Sequence, residues 1–329
     1  MIVTVLLLLV AAAAIYLCCE SFTNGVEWLG LRMKLSQTAT GTILAAFGTA
    51  LPESVVTLVA TAFAEHPSQQ SIGIGAAMGG PLVLATIAYA TVGAALLAGR
   101  RIPLLRPADR HRLSGNQMAF LAIFAVKLGL GIVLFAVKPW FGWLFLGAYA
   151  VYLRGEMRHP AEEHEGELEP LKLRPHSADP HIGWILLQCI GATTIIFAAS
   201  RLFVDQLDKL APVLGLPPQL VALFISPIAT ELPETLNALI WVRQGKDRLA
   251  LANISGSMMI QATIPTSFGL FFTPWLLDRS MLLSGAATAA AIVYLIVLFR
   301  GNKVQPAALT QVFWAFAAFV AAIVLGQKL

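Results

Sequence analysis

The sequence predicts an all-α polytopic membrane protein, with about ten transmembrane helices in two inverted five-helix repeats. Three observations predict it. The 329 residues are 57% hydrophobic and only 12% charged, with a mean hydropathy of +0.76; a soluble domain carries roughly 25% charged residues. Apolar runs of about 20 residues recur along the chain, long enough to cross some 30 Å of hydrocarbon as helix, and they are continuous rather than alternating, which selects helices over a barrel. The third observation is an internal repeat. Gly48-Thr49-Ala50-Leu51-Pro52-Glu53 resembles Ala229-Thr230-Glu231-Leu232-Pro233-Glu234 at an offset of 181 residues, and Phe22 and Leu29 meet Phe203 and Leu210 at the same offset.

The expected spans are 2–19, 38–64, 70–99, 117–137, 139–154, 181–204, 219–243, 249–276, 281–299 and 308–326. The first is read as a membrane helix rather than a removed signal, because it lacks a basic leading region and a clear small-residue cleavage site. Pro52, Pro81, Pro227, Pro233 and Pro265 fall inside spans. Proline breaks the backbone ladder there, which membranes tolerate where the freed groups line a protein cavity. Of the 22 basic residues, 16 fall on one side of this layout, 5 on the other, and Lys127 lies within a span. The positive-inside rule makes the richer side cytoplasmic, so both termini face outward, in an integral protein of the plasma (inner) membrane.

The polar segment 155–180, with Glu162, Glu163, Glu165, Glu167 and Glu169, separates a first repeat (1–154) from a second (181–329). It reads as a solvated cytoplasmic linker; His159 and His164 among its acids give a weaker hint of a regulatory metal. Five spans per half invert the second half relative to the first, a plan that places a transporter's site between the halves near the midplane.

Composition excludes several functions. Cys18, Cys19 and Cys189 sit in apolar segments without disulfide or metal-ligand spacing, and all six histidines lie in loops or at helix ends. No nucleophile–base pair or metal cluster of an enzyme occurs at membrane depth. The net charge of +4 belongs to loop residues and implies no nucleic-acid partner. The expected partners are the lipid bilayer and inorganic cations; oligomeric state stays open.

Glu53 and Glu234 lie within apolar spans, where carboxylates usually face a cavity and serve transport. Each follows a proline and stands four residues after a threonine, Thr49 or Thr230, so hydroxyl and carboxylate share a helix face. The proline frees carbonyls one turn earlier. Each half thus offers only oxygen ligands, as hard cations such as Ca2+ require. In the second half Asn253, Ser257 and Gln261 share one face of the next helix; the corresponding Ala76, Gly80 and Leu84 offer no polar side chain, and Gly73, Gly75, Gly79 and Gly80 there suit close helix contact.

The Gly48–Glu53 and Ala229–Glu234 blocks, with Leu251–Ser257 (LANISGS) resembling a Gly-Asn-x-x-Gly-Ser-Asn pattern, make the chain similar to the calcium/cation antiporter superfamily, which includes the sodium/calcium exchangers. The resemblance implies that Glu53 and Glu234 are central cation ligands, that Thr49 and Thr230 add backbone or hydroxyl oxygens, and that Ser257 lines a flanking site. It implies secondary antiport of Ca2+ or a related cation against Na+ or H+, by alternating access and without a cofactor. A cation channel, or a cation/proton exchanger not selective for Ca2+, is the alternative. Met258 replaces the pattern's last asparagine, Gln261 stands where a polar or acidic residue is usual, and Glu231 adds a third acid. With three acids, protons are expected to compete at the site. Lys127 has two open readings: a counter-ion to the acids, or a side chain snorkelling to an interface.

Overall fold

The computed structural model describes residues 1–32, 45–103, 105–156, 169–301 and 304–326; the side chains of 45–50 and 156 fall outside that description. Among the described residues there are eleven helices and no strand: α1 (Ile2–Arg32), α2 (Ala45–Ala62), α3 (Pro67–Ala98), α4 (Pro107–Ile132), α5 (Phe141–Glu156), α6 (Ile182–Leu214), α7 (Pro218–Thr230), α8 (Leu232–Arg243), α9 (Asp247–Phe272), α10 (Arg279–Arg300) and α11 (Pro306–Gly326). Six of them, α1, α3, α4, α6, α10 and α11, are long and apolar enough to cross a membrane.

Two of the expected spans end too early. α1 runs on to Arg32 because Ser21 and Thr23 return their hydroxyls to the Leu17 and Cys19 carbonyls, so polar side chains ride inside the helix without unwinding it. Asn24 and Trp28 then donate to the carbonyl of Glu169, 3.2 and 2.9 Å away. α6 continues through Asp205, Gln206 and Asp208 to Leu214 and stops at Gly215, whose φ of +65° closes the helix in the left-handed region.

The prolines do not all break their helices. Pro52, Pro227 and Pro265 sit inside continuous helix; Pro52 still deprives the Gly48 carbonyl of its donor. Pro81 precedes a π-helical turn, Leu84–Ala88, that absorbs the disturbance within α3. Only Pro233 accompanies a break, among the described residues: the expected span 219–243 is two helices, α7 and α8, joined at Glu231.

Segment 155–180 is not wholly a solvated linker. Residues 157–168, with His159 and His164, lie outside the described residues, but Glu169–His181 is strapped to α1 and α6. Leu171 is buried among Trp28, Ile185 and Cys189. Gln188 Nε2 donates to Asn24 Oδ1 at 3.0 Å, and Arg32 pairs with Asp179 at 2.6 Å.

One hydrophobic core joins α3, α4, α8, α9, α10 and α11; a second joins α1, α2, α6 and α7 with Ile72 and Ala76 of α3. α1 lies along α6, α2 packs on α9, and α3 packs on α7. The α3–α7 crossing is close because Gly75 and Gly79 of α3 face the Gln219 and Leu223 backbone, where a Cβ would collide. Loops expected to share a side do meet. At one end Arg101 reaches the Val242 carbonyl and Asp247, Arg248 pairs with Asp109, and Arg110 caps Gly301. At the other, Gln219 bonds Asp278 at 2.8 Å and Leu277 N donates to the Gly131 carbonyl at 2.9 Å.

Candidate cation site

The site lies where α2 meets the α7–α8 break. Glu53 of α2, Thr230 at the end of α7, Glu231 at the junction and Glu234 in the first turn of α8 are all buried. Thr230 Oγ1 stands 2.9 Å from Glu53 Oε2, 2.9 Å from Glu231 Oε1 and 3.2 Å from the Ser226 carbonyl. A hydroxyl has one hydrogen to give. It can donate to one of these three oxygens; a carboxyl makes a second hydrogen bond to it only by carrying a proton itself. Of Glu53 and Glu231, at most one takes the Thr230 hydrogen, and the other bonds that hydroxyl only as a protonated carboxyl.

Further oxygen donors adjoin this pair. Thr57 Oγ1 lies 3.4 Å from Glu53 Oε1, one turn along α2. Gln261 of α9 interacts with Glu231 and occupies the space that a Cβ on Gly80 would take. Glu231 Oε2, Ser226 Oγ, Ser257 Oγ and both amide atoms of Gln261 are buried without a well-formed hydrogen bond. Each such atom costs about 1–3 kcal/mol unless a ligand or water satisfies it. The oxygens among these atoms are of the kind that ligate a hard cation; the Gln261 Nε2 is not.

Of the sequence-predicted residues, the structure brings Glu53, Thr230, Glu231 and Gln261 together, with Ser257 one turn from Gln261 on α9. Asn253 lies a further turn back, partly buried. Thr49 falls in α2 one turn before Glu53, but its side chain lies outside the described residues. Glu234 interacts electrostatically with Cys19 of α1. Among the described residues no trio of His, Cys, Asp or Glu is poised to enclose a metal ion. Thr57 and Ser226 were not anticipated, although the signal existed: each stands one turn from a residue already singled out.

Lys127 of α4 does not snorkel. It is fully buried, and Nζ donates to the Ala77 carbonyl at 2.7 Å, with the Phe124 and Trp275 rings 5.5 and 5.7 Å away. It interacts electrostatically with Glu53.

A family model described as sodium/calcium exchanger protein matches residues 3–155 and 184–325. CaxA of Alkalimonas amylolytica, whose name presents it as a candidate antiporter, is 25% identical over 317 residues, covering 93% of this chain and 92% of that protein. A membrane protein of Methanocaldococcus jannaschii is 24% identical over 243 residues, 72% of this chain and 71% of that one. The crystal structure of the H+/Ca2+ exchanger CAX superposes with a TM-score of 0.78 at 17% identity, covering 98% of this chain and 82% of that one. The sodium-calcium exchanger NCX_Mj superposes with a TM-score of 0.63 at 19% identity, covering 98% of this chain and 99% of that one.

Proposed function

The chain belongs to the sodium/calcium exchanger protein family, within the calcium/cation antiporter superfamily, and from that premise we propose that it carries Ca2+ or a related divalent cation in exchange for protons at Glu53, Thr230, Glu231 and Glu234. The observation that carries the reading is Thr230. Its single hydroxyl hydrogen can serve only one of two carboxyls that each lie 2.9 Å away, so the other needs a proton or a metal cation to complete the arrangement. Proton and divalent cation are then alternative occupants of the same oxygens, which is the elementary requirement for exchanging one against the other. Ser257 and Gln261 add neutral oxygens from α9, and Thr49 and Asn253 flank the site.

The membrane arrangement follows the same premise. α7 and α8 together make one crossing, giving ten, in two inverted repeats (1–154 and 181–329) around the segment 155–180. The packing pattern supports this: α2 on α9 has its counterpart in α3 on α7, and α5 on α9 has its counterpart in α11 on α3, while α1–α6 and α4–α10 pair each helix with its own equivalent. A two-fold relation between the halves generates that set of contacts. The basic loops around Arg101 and Arg248 then face the cytoplasm of a plasma membrane.

The coupling ion is tested in proteoliposomes. Ca2+ uptake should be driven by a pH gradient without Na+, and should weaken when Glu231 becomes Gln. Uptake that strictly requires Na+ and ignores pH would defeat proton coupling.

A further inference from the structure

The first half of the site lacks the side-chain oxygens of the second. Where α9 carries Asn253, Ser257 and Gln261, α3 carries Ala76, Gly80 and Leu84. What α3 has to offer a cation there is backbone carbonyl, and one such carbonyl is already taken. Ala77 O, on the turn between Ala76 and Gly80, accepts from Lys127 Nζ at 2.7 Å.

The surroundings of that ammonium are built for it. Phe124 and Trp275 present their rings 5.5 and 5.7 Å from Nζ, within cation–π range. Trp275 gets there through a backbone φ of +48°, uncommon for a residue with a side chain. Its position is fixed on three sides. The indole Nε1 donates to the Lys127 carbonyl at 3.2 Å, Lys138 Nζ donates to the Trp275 carbonyl at 2.9 Å, and Gly269 leaves room for the ring where a Cβ would collide. A carbonyl, two aromatic faces and the charge of Glu53 are what this fully buried ammonium has in place of water.

We propose that Lys127 is a resident cation of the transport site, a fixed positive charge that stands in for one transported monovalent ion, so that one divalent cation exchanges for two monovalent cations rather than three. The proposal rests on the antiport reading above and adds the charge count. Three buried carboxylates, Glu53, Glu231 and Glu234, stand against one buried ammonium. Two negative charges are left, which one divalent cation or two monovalent cations neutralise, and the exchange moves no net charge. Without the ammonium, three negative charges call for a third monovalent ion, and each cycle moves one charge. A lysine that merely pins α4 to α3 would leave the charge count untouched.

The test uses the purified full-length chain in proteoliposomes with the membrane potential clamped by K+ and valinomycin, reading the Ca2+ accumulation reached under a fixed pH gradient. Wild type and Lys127→Arg should reach the same accumulation at zero and at about −100 mV. Lys127→Gln, which keeps an N–H for Ala77 O but no charge, should shift its accumulation roughly 50-fold over about 100 mV, as one net charge per cycle requires. Potential-dependent accumulation by the wild type, or Lys127→Gln as indifferent to potential as the wild type, overturns the proposal. If Lys127→Gln is not recovered folded, the wild-type arm decides alone. Wild-type protein that moves no Ca2+ under any gradient fails the antiport reading itself, and the charge count with it.

Discussion

Thr230 has one hydrogen to give and two acids within reach. Replacing it with valine keeps the shape and removes the shared hydroxyl, leaving two buried carboxyls to face one another. The loss of such a partner costs about 1–3 kcal/mol, so Thr230→Val should weaken half-saturation by Ca2+ roughly ten- to a hundredfold in proteoliposome flux; an unchanged value would show that the hydroxyl does not serve the site. At this scale the sequence was informative wherever a charge sat in an apolar run. Glu53 and Glu234 stood out at matched repeat positions, and Glu231 as an added acid. Which acids share a hydroxyl was not legible, because Pro233 sets the direction of Glu231 through a helix break whose angle spacing cannot supply. Lys127 was visible as an anomaly, but choosing between its two readings needed Trp275, which reaches it from 148 residues away through a backbone turn no pattern announces.

Helices were legible where they are apolar and obscure where they stay helical through polar sequence. The end of α1 is stabilised by the Glu169–His181 strap, a contact between segments about 145 residues apart, and hydropathy carries no trace of it. Each proline inside a helix costs a hydrogen bond, but the helix separates only at Glu231 among the described residues, and proline position alone does not mark where. The glycines of α3 were read as sites of close approach, and the α3–α7 crossing has that form. A methyl on Gly79 would meet the Leu223 carbonyl and Pro227 Cγ, so Gly79→Ala should lower thermal stability by about 1–3 kcal/mol. Gly147→Ala is the control: its Cβ meets nothing within 4 Å, and it should leave the melting temperature level or slightly raised. Equal melting temperatures for the two variants would mean the crossing is not tightly packed.

For the whole molecule, the proposed inverted halves would put opposite ends of the chain's repeats on opposite membrane faces, with the basic loops around Arg101 and Arg248 on one of them. A cysteine introduced between Arg100 and Arg112 should resist an impermeant thiol reagent added outside intact cells; labelling there would reverse the orientation. The proposed layout rests on repetition and charge bias, which are properties of sequence, whereas residues 157–168 lie outside what the structure describes. The central claim is exchange, and countertransport tests it most directly. Proteoliposomes loaded with Ca2+ at the same concentration as the bath are given an opposing pH gradient, and internal Ca2+ is followed. The account predicts that wild type drives Ca2+ uphill to a higher internal level and that Glu53→Gln, folded but short of one carboxylate, does not. Ca2+ that never rises above the bath, moving only down its own gradient when one is imposed, would identify a channel and contradict the account.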